Sequence, residues 1–377
     1  MSSRILIGGA VAQKPGSAGH AWQFLQYLLG LRRLGHEVLL VDRLRGSAQQ
    51  EAAGIAWLRS VMEPVGLGTA WSLDLGGGRR AGVARADVLR FAADADVLLN
   101  VMGFCDDEEL LGAVRRRVFL DTDPGFGQMW AALELADVFA GHDVHVTIGE
   151  RIGAADCTVP DLGLRWITTP QPVVLEHWPV QPAAGAERLT TIATWRGAYG
   201  PVEYDGHVYG LRVHQFRRFA ALPSAAGGTF ELALDIHDAD AGDAVLLRDG
   251  GWHLVAPAEV ASTVGDYRRY LQGSGGEFLV AKGIYVDSRS GWLSERSLCY
   301  LASGRPVVAQ DTGFSARYPT GDGLLAFSTE DEAVAAVEEV RARPAHHAAA
   351  ARELAEAHFD SDRVLTRLLD AIGAAAR

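Results

Sequence analysis

The chain has 377 residues, too many for one ordinary core, and this predicts two domains. Apolar residues make up 48% and charged residues 22%, the balance of a soluble globular protein. A formal net charge of -12 with no long basic run argues against a nucleic-acid partner.

The opening "MSSRILIGGA" lacks the basic start and long apolar stretch of a secretory signal. No apolar run reaches the roughly 18 residues of a membrane span. Cys105, Cys157 and Cys299 are scattered and odd in number, which fits neither a disulfide framework nor a zinc pattern. These features predict a cytoplasmic protein.

In chain order, "RILIGG" reads as a buried strand ending on glycines, followed by the Gly-rich loop "AVAQKPGSAGH". "AWQFLQYLLGLRRLG" has helical spacing with Gly35 as its stop, and "HEVLLVDR" is a second buried strand. "ADVLLNVMG" and "RRVFLDTDPG" are apolar runs ending in polar turns, "GQMWAALELADVFA" a helix and "HDVHVTIG" a strand. Pro170, Pro172, Pro179 and Pro182 then exclude a helix interior or a central strand, and this stretch reads as the interdomain connection. A second series follows: strand "TTIATW", helix "LRVHQFRRFAALP", strands "TFELALDI" and "WHLVAP", helix "TVGDYRRYLQGS" and strand "GEFLVAK". Helix "SERSLCYLASG", strands "RPVVAQD" and "GLLAF", and the helices over 331–359 and 362–373 complete it. The expected architecture is α/β, with two doubly wound, Rossmann-like domains facing a cleft. Residues 1–177 form the first domain, 178–188 a linker and 189–359 the second. A final helix within 360–377 is expected to return to the first domain.

Ser290, Gly291, Ser294, Ser297 and Gly304 bracket the short helix of "SGWLSERSLCYLASGRPVVAQDTG". A helix N-terminus with glycines for close approach, and Arg296 as a planar fork, suits a diphosphate. Solvated charges and a simple Ser294 cap would give the same letters. Lys282 ends the run "EFLVA" and is a further phosphate candidate; it would equally solvate a strand end. His142, His145 and His177 have no closed-zinc spacing.

"SERSLCYLASGRPVVAQDTG" resembles the nucleotide-sugar-binding segment of GT-B glycosyltransferases, where a helix ends in Ala-x-Gly-x-Pro-Val before a strand and a Gly turn. Arg296 ahead of the helix is similar to the CgeB-like group. "LLGLRRLGHEVLLVD" resembles the segment after the first helix of the same enzymes, so both halves take part. The resemblance implies a nucleoside-diphosphate sugar bound mainly by the second domain. A small-molecule or glycan hydroxyl would be bound by the first. It implies donor contacts at Arg196 and Gly197, at Trp252 near the base, and at Lys282, Ser290, Gly291, Arg296, Ser297 and Gly313. It also implies an acceptor-side base at His20, oriented by Asp121 or Asp123. Many retaining members carry two glutamates around this helix. The matching positions here are Gly291 and Cys299, and Glu295, one turn before Cys299, is the available substitute.

"DTD" also fits a carboxylate pair for a divalent cation. The surrounding GT-B pattern favours neutralisation by basic side chains, and neither a metal nor a cofactor is expected beyond the sugar donor as co-substrate. The same shape serves sugar-nucleotide 2-epimerases, dinucleotide oxidoreductases and sugar-binding modules. The loop "GGAVAQKPG" lacks Gly-x-Gly-x-x-Gly spacing, although Asp42 ends the second strand. The Ala-, Arg- and Gly-rich composition suggests a role in secondary metabolism, and a homodimer is left open.

Overall fold

A computed structural model describes residues 3–181 and 187–374. The first-half strands are β1 (Arg4–Gly8), β2 (Glu37–Arg43), β3 (Trp71–Gly76), β4 (Arg79–Gly82), β5 (Val97–Val101), β6 (Arg117–Asp121), β7 (Val144–Thr147) and β8 (Trp166–Thr168). The second half holds β9 (Arg188–Thr194), β10 (Val202–Tyr204), β11 (His207–Tyr209), β12 (Thr229–Asp235), β13 (Trp252–Val255), β14 (Gly276–Leu279), β15 (Val307–Gln310) and β16 (Leu324–Phe327).

Two open sheets result, with β10 and β11 forming a separate antiparallel pair. The first has the order β4-β3-β2-β1-β5-β6-β7-β8 and is parallel except at the β3–β4 hairpin. The second has the order β13-β12-β9-β14-β15-β16 and is parallel throughout. Helices cover both faces of such sheets, so their central strands are continuous apolar runs. Ile5, Leu6 and Ile7 of β1 are fully buried, as are Val307, Val308 and Ala309 of β15. Strand order reverses between β1 and β5, and again between β9 and β14. At such points the outgoing loops diverge and open a crevice beyond the carboxyl ends.

The first helix, Ala18–Arg33, joins the halves. Its Trp22 donates Nε1–H to the Val264 carbonyl at 2.9 Å and packs 4.9 Å from the Trp178 ring. The last helix, Ser361–Ala371, lies along it, and Arg33 bonds Asp362 at 3.0 Å. Gly30 permits this packing: a Cβ there would stand 2.5 Å from Leu365 Cδ1. Val173, between Pro172 and the buried Trp178, bridges Asp360 in parallel, so the Pro-rich stretch is pinned to the chain's end. Pro182 lies outside the described residues. Among the described residues, no helix is long and apolar enough to cross a membrane.

The helix expected over 127–140 ends at Ala132, and two further expected helices are interrupted, both near proline. The 211–223 segment divides into Arg212–Phe216, a 3-10 turn at Arg217–Phe219 and Leu222–Ala226, with Pro223 in the last one's first turn. The long 331–359 helix divides into Glu330–Ala342 and Pro344–His358. Proline lacks an N–H and tolerates only a helix's first turn. The β3–β4 hairpin has no counterpart in the sequence reading. Its turn uses Gly76, Gly77 and Gly78, with φ of 81°, 58° and 77°, a left-handed run open to glycine.

Candidate functional site

The β9/β14 crevice is occupied by a guanidinium. Arg212 donates Nε–H to the Val280 carbonyl beyond β14 and Nη1–H to the Thr194 carbonyl ending β9, both at 3.2 Å. It thus spans the two strand ends. Burial pulls its pKa down to about 10, and the neighbouring Arg296 adds to that fall. Lys282 stands beside it because two glycines meet. A Cβ on Gly283 would lie 2.9 Å from the Gly210 carbonyl, and the Ile284 amide bonds that carbonyl at 2.9 Å. Arg212 follows Gly210 by two residues and Lys282 precedes Gly283 by one, so this close approach sets both cations toward Asp123, which pairs Lys282 and draws on Arg212.

Across the cleft, Asp123 beyond β6 accepts from Lys282 Nζ at 3.0 and 2.9 Å and from the Tyr285 hydroxyl. Lys282 also lies over the Phe126 and Tyr285 rings, at 5.0 and 5.1 Å. Tyr199, in the loop after β9, packs against Phe126 and Trp130 of the first half at 5.3 and 4.8 Å. Lys14, on the Gly-rich loop, has its pKa lowered by burial and by Lys282, against the pull of Asp123. Four cations therefore gather here: Lys14, Arg212, Lys282 and Arg296. The carboxylates among them are Asp123 and Glu277.

His20 lies in the first turn of the first helix, with Nε2 3.2 Å from the Ala10 carbonyl. A carbonyl only accepts, so Nε2 carries the proton and Nδ1 the free lone pair. Burial first, and Lys14 second, push its pKa down to about 4, so it is neutral at pH 7. Neither expected aspartate supports it. Asp121 is buried and accepts from Gln128 Nε2 at 2.7 Å and Thr147 Oγ1 at 2.8 Å, while Asp123 is held by Lys282 and Tyr285. The expected His–Asp dyad is therefore not formed. Asp121 Oδ1 accepts from the Asp123 amide at 3.1 Å, but its other oxygen is tied to Gln128 and to Thr147 of β7, so the two carboxylates do not open together onto the cleft. Among the described residues no three His, Cys, Asp or Glu side chains group as a metal site.

No family model matches the chain, and no curated protein matches it in sequence. Its structure is similar to solved ones over nearly its full length. An alpha-glucosyltransferase solved in complex with UDP superposes with a TM-score of 0.60 at 13% identity, covering 99% of this chain and 100% of that one. Anabaena HepE, solved in complex with UDP-glucose, gives 0.59 at 13%, with the same coverage. AviGT4, a glycosyltransferase involved in avilamycin A biosynthesis, gives 0.56 at 14%, covering 98% and 97%. The chain has the GT-B fold.

Within this GT-B frame, several expected donor contacts are built into packing instead. Trp252 is buried, donates Nε1–H to the Ala220 carbonyl at 3.0 Å and sits among Phe216, Phe230 and Phe278. It belongs to the core and presents no face to a base. Gly291 and Gly313, with φ of 77° and 97°, make room for a side chain of the other domain. Added Cβ atoms would stand 2.8 Å from Arg151 Cγ and 2.7 Å from Arg151 Cδ, respectively. Ser290 is buried under the same contact, its carbonyl accepting from the Arg151 amide at 3.0 Å. At the position expected for phosphate, Arg151 of the other half packs against both glycines.

Arg196 is exposed and forks onto Asp240 at 2.7 and 2.6 Å, beside Gly197, whose surroundings are open. Arg296 turns under its helix to Glu277 of β14 at 2.6 Å, and Ser297 Oγ donates to the same carboxylate. One Arg296 nitrogen, Nη2, is buried without a hydrogen-bond partner. Of the expected donor contacts, Lys282 and Arg296 thus stand in the cation cluster. Arg212, Lys14 and Tyr285 join it unread. Arg212 was hidden in an amphipathic pattern, and its only signal was the Gly210 just ahead of it.

Glu295 faces the first helix. Its Oε1 accepts from Gln26 Nε2 at 3.3 Å and from Cys299 Sγ at 3.0 Å. It seals the domain interface and is enclosed there. Burial lifts its pKa from 4.5 to about 7. The folded protein therefore holds this proton more tightly than the unfolded chain. Its stabilising contribution is full below about pH 4.5 and falls by about 3 kcal/mol as pH rises to 7. Glu295→Gln should flatten that part of the profile. Urea unfolding at pH 5 and pH 8 should show the variant gaining on the parent only at the higher pH; parallel profiles would refute the buried proton.

Proposed function

We propose that the protein transfers a glycosyl group from a nucleoside-diphosphate sugar to an acceptor hydroxyl. The observation that carries this is the Arg212–Lys282 pair at the β9/β14 crevice. Four cations gather at this cleft against two carboxylates. Asp123 pairs Lys282 and Glu277 pairs Arg296, while Arg212 has no ion pair among the described residues. The cluster thus carries an excess of positive charge that suits an anion. The GT-B fold, and similar structures solved with UDP or UDP-glucose, support the same reading.

In the transfer, the acceptor oxygen bonds to the sugar C1 as the C1–oxygen bond to the diphosphate breaks. The hydroxyl proton leaves, and the negative charge collects on the departing diphosphate. Arg212 and Lys282 meet that charge in a site narrowed by the Tyr199 contact, where such stabilisation is strongest. A diphosphate competes for Lys282 and releases Asp123. That carboxylate then faces the cleft and takes the hydroxyl proton in this reading. Asp42 does not support a dinucleotide reading: it is buried, and accepts from the Ala12 and Arg43 amides at 2.7 and 2.6 Å.

Titration with UDP, dTDP, GDP and ADP tests this. One diphosphate should bind and raise the melting temperature by mass action. Lys282→Met should weaken it at least about tenfold, the loss of one charge-assisted contact. No response to any of the four overturns the proposal.

A further inference from the structure

The β3–β4 hairpin extends the first sheet past β2, and β4 carries two adjacent arginines. Arg79 forks onto Glu51 at 2.6 and 2.7 Å. Arg80 lies directly opposite Asp74 in the ladder, where opposite charges normally close on each other. Here they do not. Asp74 accepts from Arg45 Nη2 at 2.7 Å and from the Gly76 amide at 2.9 Å. Arg80 instead donates Nη1–H to Ser72 Oγ at 3.0 Å, and no carboxylate pairs with it among the described residues. A guanidinium has five N–H donors, so most of this one remains unused. Its half-buried position lowers its pKa, burial first, with Arg85 and Arg45 adding to the fall against the pull of Asp74 and Asp107.

Arg80 lines a small recess of ≈ 30 Å³, open to solvent, at the carboxyl ends of β2, β3 and β5. Its acids are already engaged. Asp42 takes the Ala12 and Arg43 amides, Asp106 pairs with the Arg43 side chain, and Asp107 pairs with Arg85. Phe104 supplies an apolar wall. The Gly-rich loop joins this recess to the cleft: its Ala12 bonds Asp42, while its Lys14 belongs to the cation cluster. The recess thus sits on the sheet edge that also carries Asp123.

We propose that this recess anchors the acceptor by an anionic group, a carboxylate or phosphate, bound by Arg80. The acceptor role rests on the transferase reading above; the anion site rests on Arg80 alone.

Calorimetry on the full chain with glucuronate, glucose 6-phosphate, glucose and inorganic phosphate tests it, alongside a separate UDP titration. Both anionic sugars should bind at least tenfold tighter than glucose. Arg80→Gln, which keeps a donor for Ser72, should lose at least tenfold for the anionic sugars and leave UDP affinity unchanged. Arg80→Lys should retain part of the binding. Equal binding of glucose, no loss in Arg80→Gln, or no response to either anionic sugar overturns the proposal. Phosphate binding as tightly as glucose 6-phosphate reduces the recess to an ion site and overturns the acceptor assignment. Anionic-sugar binding without any nucleotide response keeps the Arg80 site and overturns the transferase reading instead.

Discussion

Arg212→Met is expected to weaken binding of the preferred nucleoside diphosphate by about 100-fold, or about 2.7 kcal/mol. That is the upper range for a charge-assisted contact, and the site favours it. The guanidinium is held by two strand-end carbonyls and so is oriented before any ligand arrives. It is also in electrostatic conflict when the site is empty, since burial and Arg296 already pull its pKa to about 10. A diphosphate removes that conflict. Deleting the charge should therefore cost little in the free protein, whose melting temperature should move by no more than about 3 °C. Arg212→Lys keeps a charge without the fork and should fall between, at about tenfold. Calorimetry with the folded variants decides this; unchanged affinity in Arg212→Met would remove the crevice cation from the donor site.

The architecture was legible because parallel strands buried on both faces write themselves as apolar runs. β1, β2, β5, β6, β9, β14 and β15 all read this way. β3 and β4 did not: "LDLGGGRRAG" is short, half polar and paired antiparallel at an edge, so it leaves no run to notice. Lys282 was legible for the same reason as the strands, because a lysine closing a buried run must sit at a carboxyl end. Gly291 and Gly313 show a limit that applies widely. A glycine in a tight turn signals close approach but not what approaches. Here it is Arg151, on a loop of the other domain, which no local pattern reveals. Trp252 shows the same ambiguity in an aromatic residue: its position suited a base, but three phenylalanines distant in sequence claim its ring. Arg212 needed the Gly210–Gly283 contact, and that is a tertiary fact.

Arg296 shows how a correct chemical suspicion can predict the wrong experiment. As a free phosphate ligand, its truncation would leave a folded protein with a weaker site. In the structure its side chain is 13% exposed and its partner, Glu277, is 0% exposed. Glu277 also accepts from Ser297 and, at 3.4 Å, from Thr191. Arg296→Ala would leave this carboxylate charged and buried in β14, facing only neutral donors. Breaking such a pair from one side costs about 3–5 kcal/mol, whereas replacing both partners by neutral groups of similar shape is close to neutral. Arg296→Ala and Glu277→Ala should therefore each lower urea-unfolding stability by about that amount. The double variant Glu277→Gln, Arg296→Met should recover most of it. If the double variant is as unstable as either single one, the loss lies in packing rather than in an orphaned charge. If Arg296→Ala is fully stable, the pair does not hold the helix to β14, and its guanidinium returns to the donor site. The expected recovery would instead make Glu277 the residue that holds Arg296, with its buried Nη2 unpaired, at the edge of the crevice that Arg212 fills.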